Sequence, residues 1–395
     1  MQSHSDWRST IIVTCSFAIV FVALVWTVRR SSEKEKKSKS IEKEKPEIVN
    51  GVVHSPQPDD PQPEAEDQND DTIPELPDPN WVKVGQVREL YVYPLKSGRG
   101  KELRECNFTR FGICEESEGK FTLRDRMFLV YNEETGRFQT GRQFPTLILI
   151  SLSAVDESRV KLEALGMPRV VFHVPESSGD DVEAVQCKMW WGEPVKCIDC
   201  GPEAAEWLSR FLTGTSSGLR LGYTMMDNRD LFKEPWKKFT EVYSTLRNED
   251  TGLFCDLASY MLMTVQSVEH LNQKLEQPVP ALQFRPNILV STKEAFSEDD
   301  WEWIRIGDRA VIRNVKPCTR CKFVLVNPDS GVVDDEEPLK TLKTFRQHTD
   351  PDRISLEGTA PVMGIYCGLY VPGKVNIDDD VFVHIPESST NRETK

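Results

Sequence analysis

Two pairs of closely spaced cysteines carry the most chemical promise in this chain: Cys197-Ile198-Asp199-Cys200 and Cys318-Thr319-Arg320-Cys321. A thiolate is a soft ligand for a transition metal and a nucleophile for disulfide exchange. Two CxxC pairs separated by roughly 15–20 residues mark a zinc site. Here about 117 residues intervene, so that pattern loses most of its force. A thioredoxin-type site needs its CxxC beside a helix, whereas KFVLV after Cys321 reads as a strand. A buried, inert thiol is the ordinary state expected of Cys197 and Cys200. Arg320 stands next to Cys321 and is expected to lower that thiol's pKa by favouring the thiolate.

Other signatures of chemistry are missing. The chain has no GxGxxG after a strand, no Walker loop, no GxSxG and no HExxH. Gly98-Arg99-Gly100 lacks the third glycine and the following helix of a dinucleotide fingerprint. The six histidines are not paired at metal-ligand spacing. A redox enzyme with this sequence therefore brings no NAD or FAD domain of its own.

The elements that must position these residues are mostly short and β-prone. Strands are expected over Val87–Tyr93, Met127–Tyr131, Leu147–Leu152, Arg169–Val174, Asn287–Val290, Ala310–Val315, Lys322–Val326, Ile365–Val371 and Val381–Ile385. Helices are expected over Pro202–Leu212, where proline stands at the start, and over Thr264–Leu275, where Val268, Leu271 and Leu275 recur on one face. A shorter helix is expected over Pro338–Phe345. Many short strands and few helices, without alternation, predict a β-rich α+β fold or barrel. A break near Gly214–Gly222 divides two halves in this reading.

Ahead of this region lie two segments of different character. Thr10–Val28 reads TIIVTCSFAIVFVALVWTV, an uncharged run near the roughly 20 residues a membrane helix needs. A cleaved signal peptide would have a shorter run and a small-x-small cleavage site. This run ends in Val28, Arg29 and Arg30, so an uncleaved anchor is expected. Lys and Arg cluster after it, which places the C-terminal bulk in the cytosol. Asp59–Asn80 then holds nine acids, no Lys or Arg, and repeated proline, the composition of a disordered tether. It carries −9 of the net charge of −14, leaving −5 elsewhere. A clustered basic face of the kind that binds nucleic acid is not evident. Nine of the ten cysteines follow the tether, where a cytosolic setting keeps thiols reduced.

The cysteine motif does not stand alone. YPLKS (Tyr93–Ser97), LRDRMFLV (Leu123–Val130), FRPNILVS (Phe284–Ser291), WIRIG, and NVKPCTRCKFVLVNPDSG followed by EEPLKTLKTFR occur in that order. Over nearly all of Trp81–Pro386 the chain resembles the MOSC-domain family. Within it, the resemblance is to the mitochondrial amidoxime-reducing components. It implies a MOSC-type β-barrel core, an N-terminal MOSC-associated β-rich domain and a single transmembrane helix before them. The expected boundaries are a flank 1–9, anchor 10–28, linker 29–80, N-terminal domain 81–215, MOSC domain 216–386 and tail 387–395.

The resemblance also implies a molybdenum cofactor, with Cys321 as the protein ligand of molybdenum and the catalytic residue. Thr319 and Arg320 would lie in the same loop against the cofactor. Lys96, Ser97 and Arg126 would contact it from the N-terminal half, Arg285 and Asn287 from the other, and Tyr366 would close the site. Arginine forks and a lysine point charge suit a phosphate tail. Taken singly, Lys96, Arg126 and Arg285 read as surface ion-pair residues. One departure stands out: the family has a Thr-Ser pair after the aspartate corresponding to Asp256. This chain has Leu257 and Ala258, so the hydroxyls are lost or one is displaced to Ser259.

The activity so implied is reduction of N-hydroxylated compounds, with electrons from cytochrome b5 and its NADH-dependent reductase. The implied membrane is the mitochondrial outer membrane, though the anchor fits the endoplasmic reticulum too. Two other roles stay open. MOSC domains also end cofactor sulfurases, but those carry a pyridoxal-phosphate-binding domain upstream, which is not expected here. A membrane-tethered binding protein with structural zinc is the other, and the altered Asp256–Ser259 stretch is its support.

Overall fold

The computed structural model describes residues 80–176, 183–189, 191–226 and 229–384. The apolar run 10–28, the linker as far as residue 79 and the tail 387–395 lie outside them. Among the described residues no helix is long and apolar enough to cross a membrane.

Seven strands close into a barrel. Around it run Tyr260–Thr264, Val362–Val371, Ala310–Thr319, Trp303–Ile306, Asp380–His384, Val82–Val92 and Ile288–Ser291, the last pairing back with the first. Inward-facing apolar residues supply the interior, a bulge after Val87 keeping it on the same side as Leu90: Val87, Leu90, Ile288, Ile304, Ile365 and Val383 are fully buried in one apolar cluster. Closure depends on Val82–Val92, which pairs antiparallel with both Ile288–Ser291 and Asp380–His384. Tyr260–Thr264 and Ile288–Ser291 run parallel, so a crossover must join them. The helix Val265–Asn272 makes it, capped by the Thr264 side chain accepting from the Ser267 amide.

A second apolar cluster forms from residues between Leu95 and Leu253. One of its sheets has the order Ala184–Lys188, Pro194–Asp199, Leu219–Thr224 and Phe128–Asn132. The other joins Ser151–Ala154, Arg159–Glu163 and Val170–His173. The helix Pro202–Thr213 buries Ala204, Trp207 and Leu208 in this cluster. It stops at Gly214, whose left-handed φ of 73° suits glycine. Leu219–Thr224, which follows the helix, completes this sheet by pairing with Phe128–Asn132.

Two expected strands come out differently. Leu147–Leu152 begins instead as a tight helical turn over Pro145–Leu149, with a strand only at Ser151–Ala154. Pro145 sets a helical φ at the first turn position and has no amide to donate to a ladder. Lys322–Val326 is likewise a single helical turn, Lys322–Leu325, not a strand. Val324 and Leu325 are adjacent and both buried in the same cluster, which a strand's alternation does not allow.

Candidate active site

Loops from both parts of the chain line a cavity of about 460 Å³. Its floor includes the turn that follows the long barrel strand Ala310–Thr319. There Cys321 occupies the position before the tight turn Lys322–Leu325, in extended backbone. Among the nine described cysteines Cys321 alone is exposed, and it faces the cavity. Gly141, on the opposing loop, lies so close to Phe323 that a Cβ there would sit 2.2 Å from the ring. Only glycine lets that loop press against the cysteine turn.

The Cys321 thiol is raised, not lowered. Burial contributes most, then the Asp256 carboxylate, while Arg142 and Arg320 pull the other way without prevailing. Arg320 does pull the thiol down as expected, but burial and Asp256 outweigh it, and its own donors are engaged elsewhere. Its Nε donates to the Met363 carbonyl at 2.8 Å and its Nη1 to the Phe284 carbonyl at 2.9 Å. Arg320 is 8% exposed, and its guanidinium clamps two backbone segments. Arg320 lines the cavity, but it acts chiefly as a positioning residue.

The cationic side of the cavity is built around Tyr93. The guanidinium carbons of Arg126 and Arg285 lie 4.3 and 4.2 Å from its ring centroid. Arg126 Nη1 donates to the Asp125 carboxylate and, at 3.3 Å, to Asn287 Oδ1. Asn287 is 2% exposed and is occupied mainly with structure: its amide donates to Asp125 at 3.0 Å and accepts from the Met261 amide at 3.1 Å. Arg285 Nη1 donates to the Gly98 carbonyl at 2.7 Å, and its buried Nη2 has no hydrogen-bond partner. Burial, then Arg126, pulls the Arg285 guanidinium down to about 10. An anion placed here would supply the missing acceptor and neutralise the pair.

Lys96 Nζ lies 2.7 Å from Asp256 Oδ1 and 5.1 Å from the Phe138 ring centroid. Burial lowers the Lys96 ammonium despite that partner. Ser97 accepts from the Gly141 amide at 3.1 Å. Ser97, Arg126 and Arg285 all have positive φ, at 64°, 49° and 56°. Non-glycine residues in that region are strained, and such strain gathers at functional sites. Local sequence gives no sign of it.

The structure thus brings Lys96, Ser97, Arg126, Arg285, Asn287, Thr319, Arg320, Cys321 and Tyr366 to one cavity. Ser259 is the exception and does not line it. It is fully buried, and its hydroxyl donates to the Arg110 carbonyl at 2.9 Å and the Asp250 carbonyl at 3.2 Å. The displaced-hydroxyl reading is therefore corrected: Leu257 and Ala258 face the cavity, and no serine replaces them. Arg142, Thr140, Lys316 and Glu357 also line it and were not anticipated. The four CxxC cysteines do not converge. Cys197 lies 3.1 Å from Cys187 in a separate cluster, and no described group of three or more His, Cys, Asp or Glu could hold a metal ion.

A closed barrel carrying a cysteine turn over a basic cavity defines a MOSC-type protein. In agreement, residues 84–215 match the MOSC N-terminal beta barrel domain and residues 250–382 match the MOSC domain. The chain is 36% identical over 303 residues to mitochondrial amidoxime-reducing component 1 of Danio rerio, covering 76% of this chain and 85% of that protein. The Mus musculus and Homo sapiens proteins of the same name are 34% and 33% identical, over 76% of this chain and 83% of theirs. The chain belongs to the MOSC-domain family of amidoxime-reducing components.

Proposed function

We propose that this protein is a molybdenum-cofactor-dependent reductase of N-hydroxylated compounds such as amidoximes and hydroxylamines. The observation that carries the proposal is one cavity lined both by the Cys321 thiol and by an under-neutralised arginine pair with a vacant donor, Arg285 Nη2. The first suits a single soft metal ligand, the second an anionic tail. Cys321 would hold the metal. Arg285, Arg126, Lys96 and Ser97 would hold the phosphate-bearing end, and Tyr366 would close the site. The bound cofactor supplies two-electron oxygen-atom chemistry.

The rest of the work falls to the chain. Arg320 holds the Cys321 turn against the Phe284 and Met363 carbonyls, so the thiol is presented in one place. Asn287 and Asp125 fix Arg126. Leu257 and Ala258 offer apolar surface where hydroxyls would have bound ligand, so anchoring rests more heavily on the arginines. With no nucleotide-binding motif, electrons must arrive from outside, and cytochrome b5 with its NADH-dependent reductase is the expected supply. The relatives' names support a mitochondrial setting. An anchor at 10–28 would confine the enzyme and its donors to one surface, raising their effective concentration.

The test is purification of the full chain from a host that makes the cofactor, followed by measurement of molybdenum, zinc and pterin. Benzamidoxime reduction with cytochrome b5, its reductase and NADH then reads the reaction. Stoichiometric molybdenum and turnover are expected. Zinc in place of molybdenum, or a loaded protein without turnover, overturns the proposal.

A further inference from the structure

A second polar group lines the cavity and takes no part in the anion-binding set. Lys316 Nζ and Glu357 Oε1 form an ion pair at 2.8 Å, with side chains only 2% and 6% exposed. Thr319, two residues before Cys321, donates its hydroxyl to the same Oε1 at 2.8 Å. The Tyr243 hydroxyl donates to Oε2, and His348 Nε2 lies 3.4 Å from that oxygen. The surrounding wall is apolar: Trp236, Phe239, Leu257, Ala258 and Leu356. Cys318 and Tyr366 face the group from the barrel strands, and Arg353 stacks 5.3 Å from the Tyr243 ring centroid.

Stability alone does not require this pair. Removing two charges from water costs about as much as their attraction returns, and an apolar pair of similar volume is often as stable. The backbone is instead shaped to aim Lys316 inward. The ladder with Val362–Val371 shifts register on both sides of it, between Asn314 and Lys316 and between Pro317 and Thr319. Bulges of this kind re-aim side chains next to active sites. Lys316 donates to Glu357 and to the Pro317 carbonyl at 2.9 Å, so two of its three N–H donors are used. The third is left for a molecule in the cavity.

We infer that Lys316 is the proton donor to the substrate's N–OH oxygen, and that Glu357 positions it and holds it in the charged form. The inference rests on the reductase reading above. Reduction of an N–OH group breaks the N–O bond, consumes two electrons and two protons, and releases an N–H product and water. The bound cofactor would supply the electrons, and the two protons are delivered by the protein and replaced from water. Lys316 hands a proton to the departing oxygen, and the neutral amine takes up a proton from water entering the cavity, while the Glu357 carboxylate, held by Tyr243 and Thr319, keeps Lys316 charged. The chain repeats the transfer for the second proton.

The clean variant is Lys316→Met/Glu357→Leu, which removes both charges together and leaves no buried ion unpaired. Lys316→Met alone is compared with it. Molybdenum and pterin content, thermal midpoint, benzamidoxime affinity from tryptophan quenching, and kcat are measured on the full-length protein. The double variant should keep its metal and its midpoint, bind benzamidoxime within about threefold of wild type, and lose about 100-fold in kcat, the scale of one general acid. A loaded double variant retaining more than half of the wild-type kcat overturns the inference alone. A metal-loaded wild type that reduces no N-hydroxylated compound overturns the reductase reading and this inference with it.

Discussion

Replacing Arg285 separates a residue kept for folding from one kept for a ligand. An ordinary buried arginine stabilises its fold, and its loss costs several kcal/mol. The surroundings of Arg285 point the other way. Burial beside Arg126 draws its guanidinium down to about 10, and at 1.36 kcal/mol per pKa unit its charge costs the fold about 3 kcal/mol. Against this stand one charged hydrogen bond to the Gly98 carbonyl, worth about 1.5–3 kcal/mol, and ring contacts to Tyr93 and Phe323 of about 0.5–1 kcal/mol each. The two sides nearly cancel. Arg285→Met should therefore leave the ligand-free protein within about 1 kcal/mol of wild type in urea unfolding. Arg285→Gly should gain a further increment of about 1 kcal/mol, because it also relieves the left-handed φ of 56°. In both variants pterin and molybdenum retention should fall at least tenfold. A loss of more than about 3 kcal/mol in Arg285→Met, with cofactor retained, would refute the reasoning and make Arg285 a structural residue.

Other expectations follow from single sites. Cys321→Ala should lose molybdenum and turnover while Cys318→Ala keeps most of both, as metal analysis and the benzamidoxime assay would show; the reverse result reassigns the ligand. Arg229→Met should destabilise by about 3–5 kcal/mol, read as a fall in thermal midpoint. It strands Glu193, which is paired to Arg229 at 2.7 Å with side chains 5% and 9% exposed, and it frees the Cys255 carbonyl. The buried Asp250 carboxyl is raised to about 6 in the fold, chiefly by burial. Its folded pKa exceeds the ordinary value, so the stability tied to its protonated form is present below about pH 4 and is lost as pH rises through 6. Asp250→Asn should flatten that part of the unfolding profile and gain stability at pH 8 over wild type; an unchanged profile sinks the assignment.

Some of the site was readable because its signals are local. YPLKS, FRPN and the CTRC turn each set a few residues close together, and the fold had only to bring three short segments to one place. The β-rich class was readable for a similar reason, since short apolar runs such as Leu90–Val92 report burial directly. Errors arose where local preference and tertiary context disagreed. KFVLV has strand composition, yet packing buries Val324 and Leu325 on one side and makes a helical turn. Ser259 stands near the position of a lost hydroxyl, yet its side chain is turned to the Arg110 carbonyl. Arg320 is adjacent to Cys321 in sequence, yet its donors reach Met363 and Phe284, and burial governs the thiol.

By itself the sequence determined the family, the β-rich class, the cysteine that lines the cavity at Cys321 and most of the basic residues around it. These depend on residue type and short spacing, which the chain carries without folding. Only the tertiary structure decided which strand closes the barrel, which arginine keeps an unpaired donor, and that Lys316 meets Glu357 across 41 residues of chain. Each of those is a matter of where separate segments come to rest, because burial and charge act through space and not along the backbone.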